Sequence, residues 1–204
     1  ARVRALGFEI VSMDEAAARL RAGLDAVRPF IALTFDDGYR DTLRVAASIL
    51  RRHGAPYTVY VTPGFADRAA RMWWVELEEA VRRLPHVETT VAGEALSLPA
   101  RDGAQKTAAF FAIYWRLRAL PEPDLLAHVA RLAAVAGVDP AEPAASLCCD
   151  WAELAELAAD PLCTIGAHTM THPRLATLPA EEARAEMAQS RDAIGERLGV
   201  EARH

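Results

Sequence analysis

Residues 31–42 read IALTFDDGYRDT, and the fold turns on how this stretch is read. A short apolar run from Pro29 to Phe35 ends in two adjacent aspartates, Asp36 and Asp37, followed by a glycine. A nearly continuous apolar run of this length reads as a strand covered on both faces. From Arg40 to Arg52 the apolar positions Leu43, Ala46, Ala47 and Leu50 recur at helical spacing, and Gly54 supplies a stop. Tyr57 to Val61 (YTVYV), rich in β-branched and aromatic residues, reads as a second strand. Strand, acidic loop, helix and strand at this spacing make a βαβ unit, so the strands are expected to be parallel with a right-handed crossover. Neighbouring carboxylates repel, and each is costly to bury without compensation. The acidic pair is therefore either an exposed turn or part of a site that holds a cation.

Working outward, residues 13–23 read as a short helix ended by Gly23. Residues 71–150 break the α/β rhythm. They suggest a helix over 76–84, a hairpin over 87–98 turning near Gly93, and helices around 104–119 and 123–136. This is read as a mostly helical insertion in a single domain spanning 1–204. The rhythm then returns. Asp150 with Glu153 forms a capping box opening a helix through Ala159, residues 162–167 read as a strand, and 168–173 as a loop. Residues 180–198 read as a strongly amphipathic helix with Ala183, Met187, Ile194 and Leu198 on one face and Gly199 as the stop.

Composition narrows the classes. With 204 residues, 52% of them hydrophobic and 25% charged, the chain is long and apolar enough for one sizeable core rather than a disordered tail. A formal charge of −5 and no basic cluster beyond helix ends such as Arg51-Arg52 and Arg82-Arg83 argue against a nucleic-acid partner. No apolar run approaches the ~20 residues of a membrane span. Three cysteines without CxxC spacing argue against a disulfide framework or a thiolate zinc site, and favour a reducing, cytoplasmic setting.

The second informative stretch is HTMTHP at 168–173. His168 and His172 stand four residues apart, and Pro173 biases His172 away from helical angles, so a compact turn rather than a helix brings the imidazoles together. Thr169 and Thr171 can hold that turn through hydroxyl-to-backbone bonds. Both the acidic pair and the histidine pair follow a predicted parallel strand, at the edge where ligands gather in α/β folds. Two histidines with one carboxylate make a facial metal triad, with one aspartate as ligand and its neighbour left as a base. Other residues weigh less. Asp41 suits the first turn of a helix. His53, His86 and His128 read as surface residues, and the adjacent Cys148 and Cys149 as structural. Tyr39 either lines a groove beside the acids or packs. Trp73 and Trp74 either stack on a sugar or anchor the insertion.

TFDDG at 34–38 with HTMTH at 168–172 resembles the first two motifs of the polysaccharide deacetylases, the NodB-homology or carbohydrate esterase family four. The resemblance implies an α/β fold of the distorted (β/α) barrel type and a divalent metal, most often zinc, otherwise cobalt or manganese. It makes Asp37, His168 and His172 the metal ligands and Asp36 the general base. It implies hydrolysis of N-acetyl, sometimes O-acetyl, groups on an acetylated glycan. The family's later motifs, which bring an arginine- or tyrosine-bearing loop, an acidic partner and a histidine acid, have no match within residues 1–204. The expectation is thus a barrel truncated at its C-terminal end. Two rivals stand beside this reading. One is a glycan-binding module with a vestigial metal site. The other is an aspartate-nucleophile phosphatase, which wants a second acid where Gly38 stands.

Overall fold

The computed structural model describes residues 2–23 and 28–204. The chain begins with α1 (Arg2–Ala5), β1 (Glu9–Val11), α2 (Met13–Ala22), β2 (Phe30–Ala32) and β3 (Thr34–Phe35). A π-helical turn (Thr42–Ala46) runs into α3 (Ala47–Arg52), followed by β4 (Tyr57–Val61) and α4 (Pro63–Ala66). Next come α5 (Trp73–Arg83), β5 (His86–Val91), β6 (Glu94–Pro99), α6 (Gly103–Leu117), α7 (Glu122–Ala136) and α8 (Glu142–Leu147). The chain closes with α9 (Trp151–Ala158), β7 (Cys163–Ala167), a 3-10 turn (Leu175–Thr177) and α10 (Ala180–Leu198).

These elements form two compact units. One comprises the described part of residues 1–70 with 147–172 and 179–204; the other comprises 71–146 with 173–178. In the first, β3, β4 and β7 form a parallel sheet in that order, with Phe35 beside Val59, Val59 beside Ile165 and Val61 beside Ala167. Alternation in β4 buries Tyr57, Val59 and Val61 against Leu154, Leu157, Ile165 and Ile194. The register has a functional consequence. The residues after Phe35, Val61 and Ala167 all leave the sheet from its C-terminal edge.

The apolar run at 29–35 is expected as one strand covered on both faces, and it is not one. It breaks at Leu33 into β2, which pairs with β1, and β3, which pairs with β4; neither piece is fully buried. The Leu33 carbonyl still accepts from the Thr58 N–H at 2.9 Å. Hydrophobicity reports burial but not which neighbour pairs, so a change of partner leaves no mark in the sequence. The capping box is present: the Asp150 carboxylate accepts from the Glu153 N–H at 2.9 Å, and Glu153 accepts from the Asp150 N–H at 3.1 Å. The α10 boundaries agree with the periodicity, and Gly199 ends the helix at φ 66°. Its amphipathic face does not. Only Ser190 and Ile194 are buried, and Met187 is 44% exposed, because the C-terminal half supplies the core contact while the N-terminal half is tied by polar bonds.

The second unit has a core of its own, built from Leu77, Ile113, Leu117, Leu125 and Val129. Its hairpin turns through Ala92 and Gly93, at φ 53° and 82°, the positive pair a two-residue loop requires.

Gly166 lies opposite Tyr60 in the β4–β7 register. A Cβ there would stand 2.6 and 2.7 Å from two Tyr60 ring carbons, and 3.3 Å from the His204 carbonyl oxygen. Gly166→Ala is therefore expected to destabilise the chain by about 1–3 kcal/mol, the usual cost of overpacking. The midpoint of urea unfolding checks it, and an unchanged midpoint would mean the ring moves freely.

Candidate metal centre

The sheet edge delivers three donors to one place. Asp37 Oδ1 lies 3.6 Å from His168 Nε2 and 3.3 Å from His172 Nε2, and the potential ligand atoms all fall within 4.8 Å of one another. Donors at ~2.0–2.1 Å around a tetrahedral zinc would stand ~3.3–3.4 Å apart. Asp37 Oδ1 is buried and makes no hydrogen bond. A buried carboxylate oxygen in that condition, facing two imidazoles, has the chemistry of a ligand set for a borderline divalent cation.

Local backbone geometry turns these side chains inward. Asp36 stays exposed at the end of β3, whereas Asp37 takes a left-handed φ of 66° and Gly38 follows at 69°. Two consecutive left-handed residues suit Asp-Gly. The far side of the turn is fixed by the Gly38 carbonyl, which accepts from the Cys149 N–H at 2.9 Å, and by a β-bridge between Tyr39 and Cys148. His168 is anchored where it leaves β7. Its N–H donates to the Val61 carbonyl at 2.8 Å, and its carbonyl accepts from the Thr62 hydroxyl at 2.9 Å. Thr169 and His172 are also left-handed, at φ 63° and 64°, and the Thr169 hydroxyl accepts from the His172 N–H at 3.0 Å.

Burial pushes the Asp37 carboxyl up, His172 and then His168 pull it down, and Asp36 adds a further upward push. A cation among these donors reverses the burial effect by favouring the charged carboxylate. Nearby, burial first and the Asp36 charge second hold the Tyr60 phenol above its ordinary value, so it remains a hydroxyl at neutral pH.

Residues 24–204 match the family model described as polysaccharide deacetylase. The chain belongs to the polysaccharide deacetylase family. Among solved structures, the Streptococcus pyogenes deacetylase PplD in complex with acetate is 15% identical, with a TM-score of 0.54 over 98% of this chain and 55% of that one. IcaB from Ammonifex degensii is 16% identical, with a TM-score of 0.51 over 98% of this chain and 59% of that one. At these identities the likeness is one of fold. The chain spans between 55% and 59% of the length of these two proteins. No curated protein sequence matches it.

In this polysaccharide deacetylase family member the remaining candidates divide between the two units. Tyr39 sits in the turn beside the acids, its backbone engaged with Cys148. Trp73 and Trp74 belong to the second unit. Trp73 is 6% exposed, its ring stacked on Tyr114 at 5.2 Å and edge-on to Trp74 at 5.9 Å. Burial pushes the Cys148 and Cys149 thiols up to about 12, so neither is a thiolate at neutral pH. Sequence reasoning missed three neighbours. Tyr60 packs beside His168 with ring centres 6.4 Å apart, Phe65 packs on His172 at 5.7 Å, and Glu186 bonds the histidine loop. Position 60 is half-buried between the buried Val59 and Val61, so the alternation of YTVYV was the available signal for Tyr60. Glu186 left none.

Proposed function

We propose that this chain carries the metal centre of a hydrolase that removes acetyl groups from an N-acetylated polysaccharide or oligosaccharide, cleaving the amide and, in some substrates, an ester. The observation that carries the reading is the buried, hydrogen-bond-free Asp37 Oδ1 facing two imidazole nitrogens at the C-terminal edge of a parallel sheet. Asp37, His168 and His172 would hold the metal, with zinc favoured and cobalt or manganese compatible with the same donors. Bound there, a divalent cation supplies Lewis acidity toward the acetyl carbonyl and makes water acidic enough to react near neutral pH. Three protein ligands leave positions open for water and substrate.

Asp36 does the proton work. It is exposed, one residue from the ligand, and its backbone does not share the left-handed turn that aims Asp37 inward. That splits two adjacent carboxylates into a ligand and a base, which accepts the proton of the attacking water. Membership of the polysaccharide deacetylase family supports the acetylated glycan as substrate. Among the described residues, no helix is long and apolar enough to cross a membrane.

Acetate release from an N-acetylglucosamine oligomer tests the reading. Release is expected to vanish after chelation and to return on adding zinc, cobalt or manganese. Release that survives removal of all metal would overturn it. Metal binding by a full-length chain without any acetate release would favour the glycan-binding module.

A further inference from the structure

Glu186 lies on α10, fourteen residues beyond His172, and its carboxylate reaches back to the loop that carries both histidines. One oxygen accepts from the N–H groups of Met170 and Thr171, each at 2.8 Å; the other accepts from the Thr171 hydroxyl at 2.7 Å. We propose that Glu186 is a positioning residue for the metal centre, holding the loop in the backbone conformation that aims His168 and His172 at Asp37. The inference rests on the metal-centre reading above and adds to it a residue that does not touch the metal.

The loop needs an external hold. Thr169 and His172 both adopt left-handed backbone angles, which side-chain-bearing residues take only at an energetic cost. Between them, the successive N–H groups of Met170 and Thr171 converge on one point. Such a nest carries a partial positive charge and binds an anion. Glu186 is that anion. The opposite side of the same peptide is also fixed, because the Met170 carbonyl accepts from the Gly64 N–H at 2.9 Å. The space around it is closed: a Cβ on Gly64 would stand 2.6 Å from that carbonyl oxygen. The Met170–Thr171 peptide is thus clamped at its carbonyl by Gly64 and at its N–H by Glu186, and it cannot turn over without losing both bonds. It separates Thr169, which caps the His172 N–H, from His172 itself. A flip would undo the left-handed turns on either side and splay the imidazoles. With the carboxylate replaced by a methyl group, two loop N–H groups and a hydroxyl lose their acceptor, and of the two clamps on the Met170–Thr171 peptide the Gly64 bond alone remains.

Outer residues that orient metal ligands typically change metal affinity 10–100-fold when removed. The test is isothermal titration of the metal-free chain with Zn2+, for the parent, Glu186→Ala, Glu186→Gln and Met187→Ala. Thermal unfolding of each metal-free protein and amide exchange across 168–173 accompany it. Glu186→Ala is expected to weaken binding by about 10-fold or more. Its unfolding temperature should stay near the parent's, and the Met170 and Thr171 amides should lose protection. Glu186→Gln keeps an oxygen for both N–H groups and is expected to restore most of the affinity. Met187→Ala, at an exposed neighbour on the same helix, should bind as the parent does. Glu186→Ala binding within about twofold of the parent, with protection retained, would overturn the positioning role and leave the metal centre standing. Weakening equal in Glu186→Ala and Met187→Ala would reduce the effect to general loosening of α10, and would also overturn it. A parent that binds no Zn2+ at all would fail the metal centre itself, and this proposal with it.

Discussion

Asp37→Ala is expected to abolish metal binding while leaving the fold intact. An outer residue typically accounts for 10–100-fold in affinity, so losing one of three protein ligands should cost more than about 100-fold. Acetate release should fall to background with it. The stability side of the prediction is unusual for a half-buried charged residue. Asp37 is 13% exposed at its side chain, its inner oxygen makes no hydrogen bond, and burial disfavours its charged form. In the metal-free chain alanine removes the desolvation cost of this carboxylate, which offsets the imidazole contacts and the left-handed backbone preference that it loses. The metal-free variant should therefore unfold at a temperature close to the parent's. With metal in excess, the parent alone should gain stability, because ligand binding to the native state shifts unfolding by mass action. Titration calorimetry with thermal unfolding, with and without metal, checks both halves. An affinity within about threefold of the parent would remove Asp37 from the ligand set.

Asp36→Asn should give the complementary result. The side chain is exposed and sits outside the donor cluster, so metal affinity should remain within about threefold of the parent. Acetate release should nevertheless drop by about 10²–10⁴-fold, the usual contribution of a positioned base. The two variants separate ligand from base in residues that are adjacent in sequence and alike in chemistry. If Asp36→Asn lost metal in proportion to activity, the division of labour proposed for the pair would be wrong.

The sequence carries the site unevenly. TFDDG and HTMTH could be read as one candidate site because Asp37, His168 and His172 are metal-ligating residue types that each follow a predicted parallel strand, and the structure brings their donor atoms within 4.8 Å of one another. The βαβ unit was equally readable, since YTVYV and the helical spacing from Leu43 to Leu50 each have their own period, although a π-helical turn at Thr42–Ala46 interrupts that helix. The switch of partners at Leu33 was not readable, because β2 and β3 are apolar alike. The amphipathic reading of α10 failed at Met187, where periodicity placed a core residue and the structure leaves it exposed. Glu186 was hidden for a further reason. It bonds mainly to backbone N–H groups, which every residue but proline possesses, so no partner side chain marks it. The relation between Tyr60 and Gly166 depends on strand register, which pattern alone does not specify.

Asp37, His168 and His172 are proposed to share one metal ion. Anomalous diffraction at the zinc edge from a crystal of the zinc-loaded protein tests it most directly. A peak is expected about 2.0–2.2 Å from a carboxylate oxygen of Asp37 and from one nitrogen of each histidine. A zinc-loaded crystal with no peak among these three side chains, or with its peak on another donor set, would contradict it.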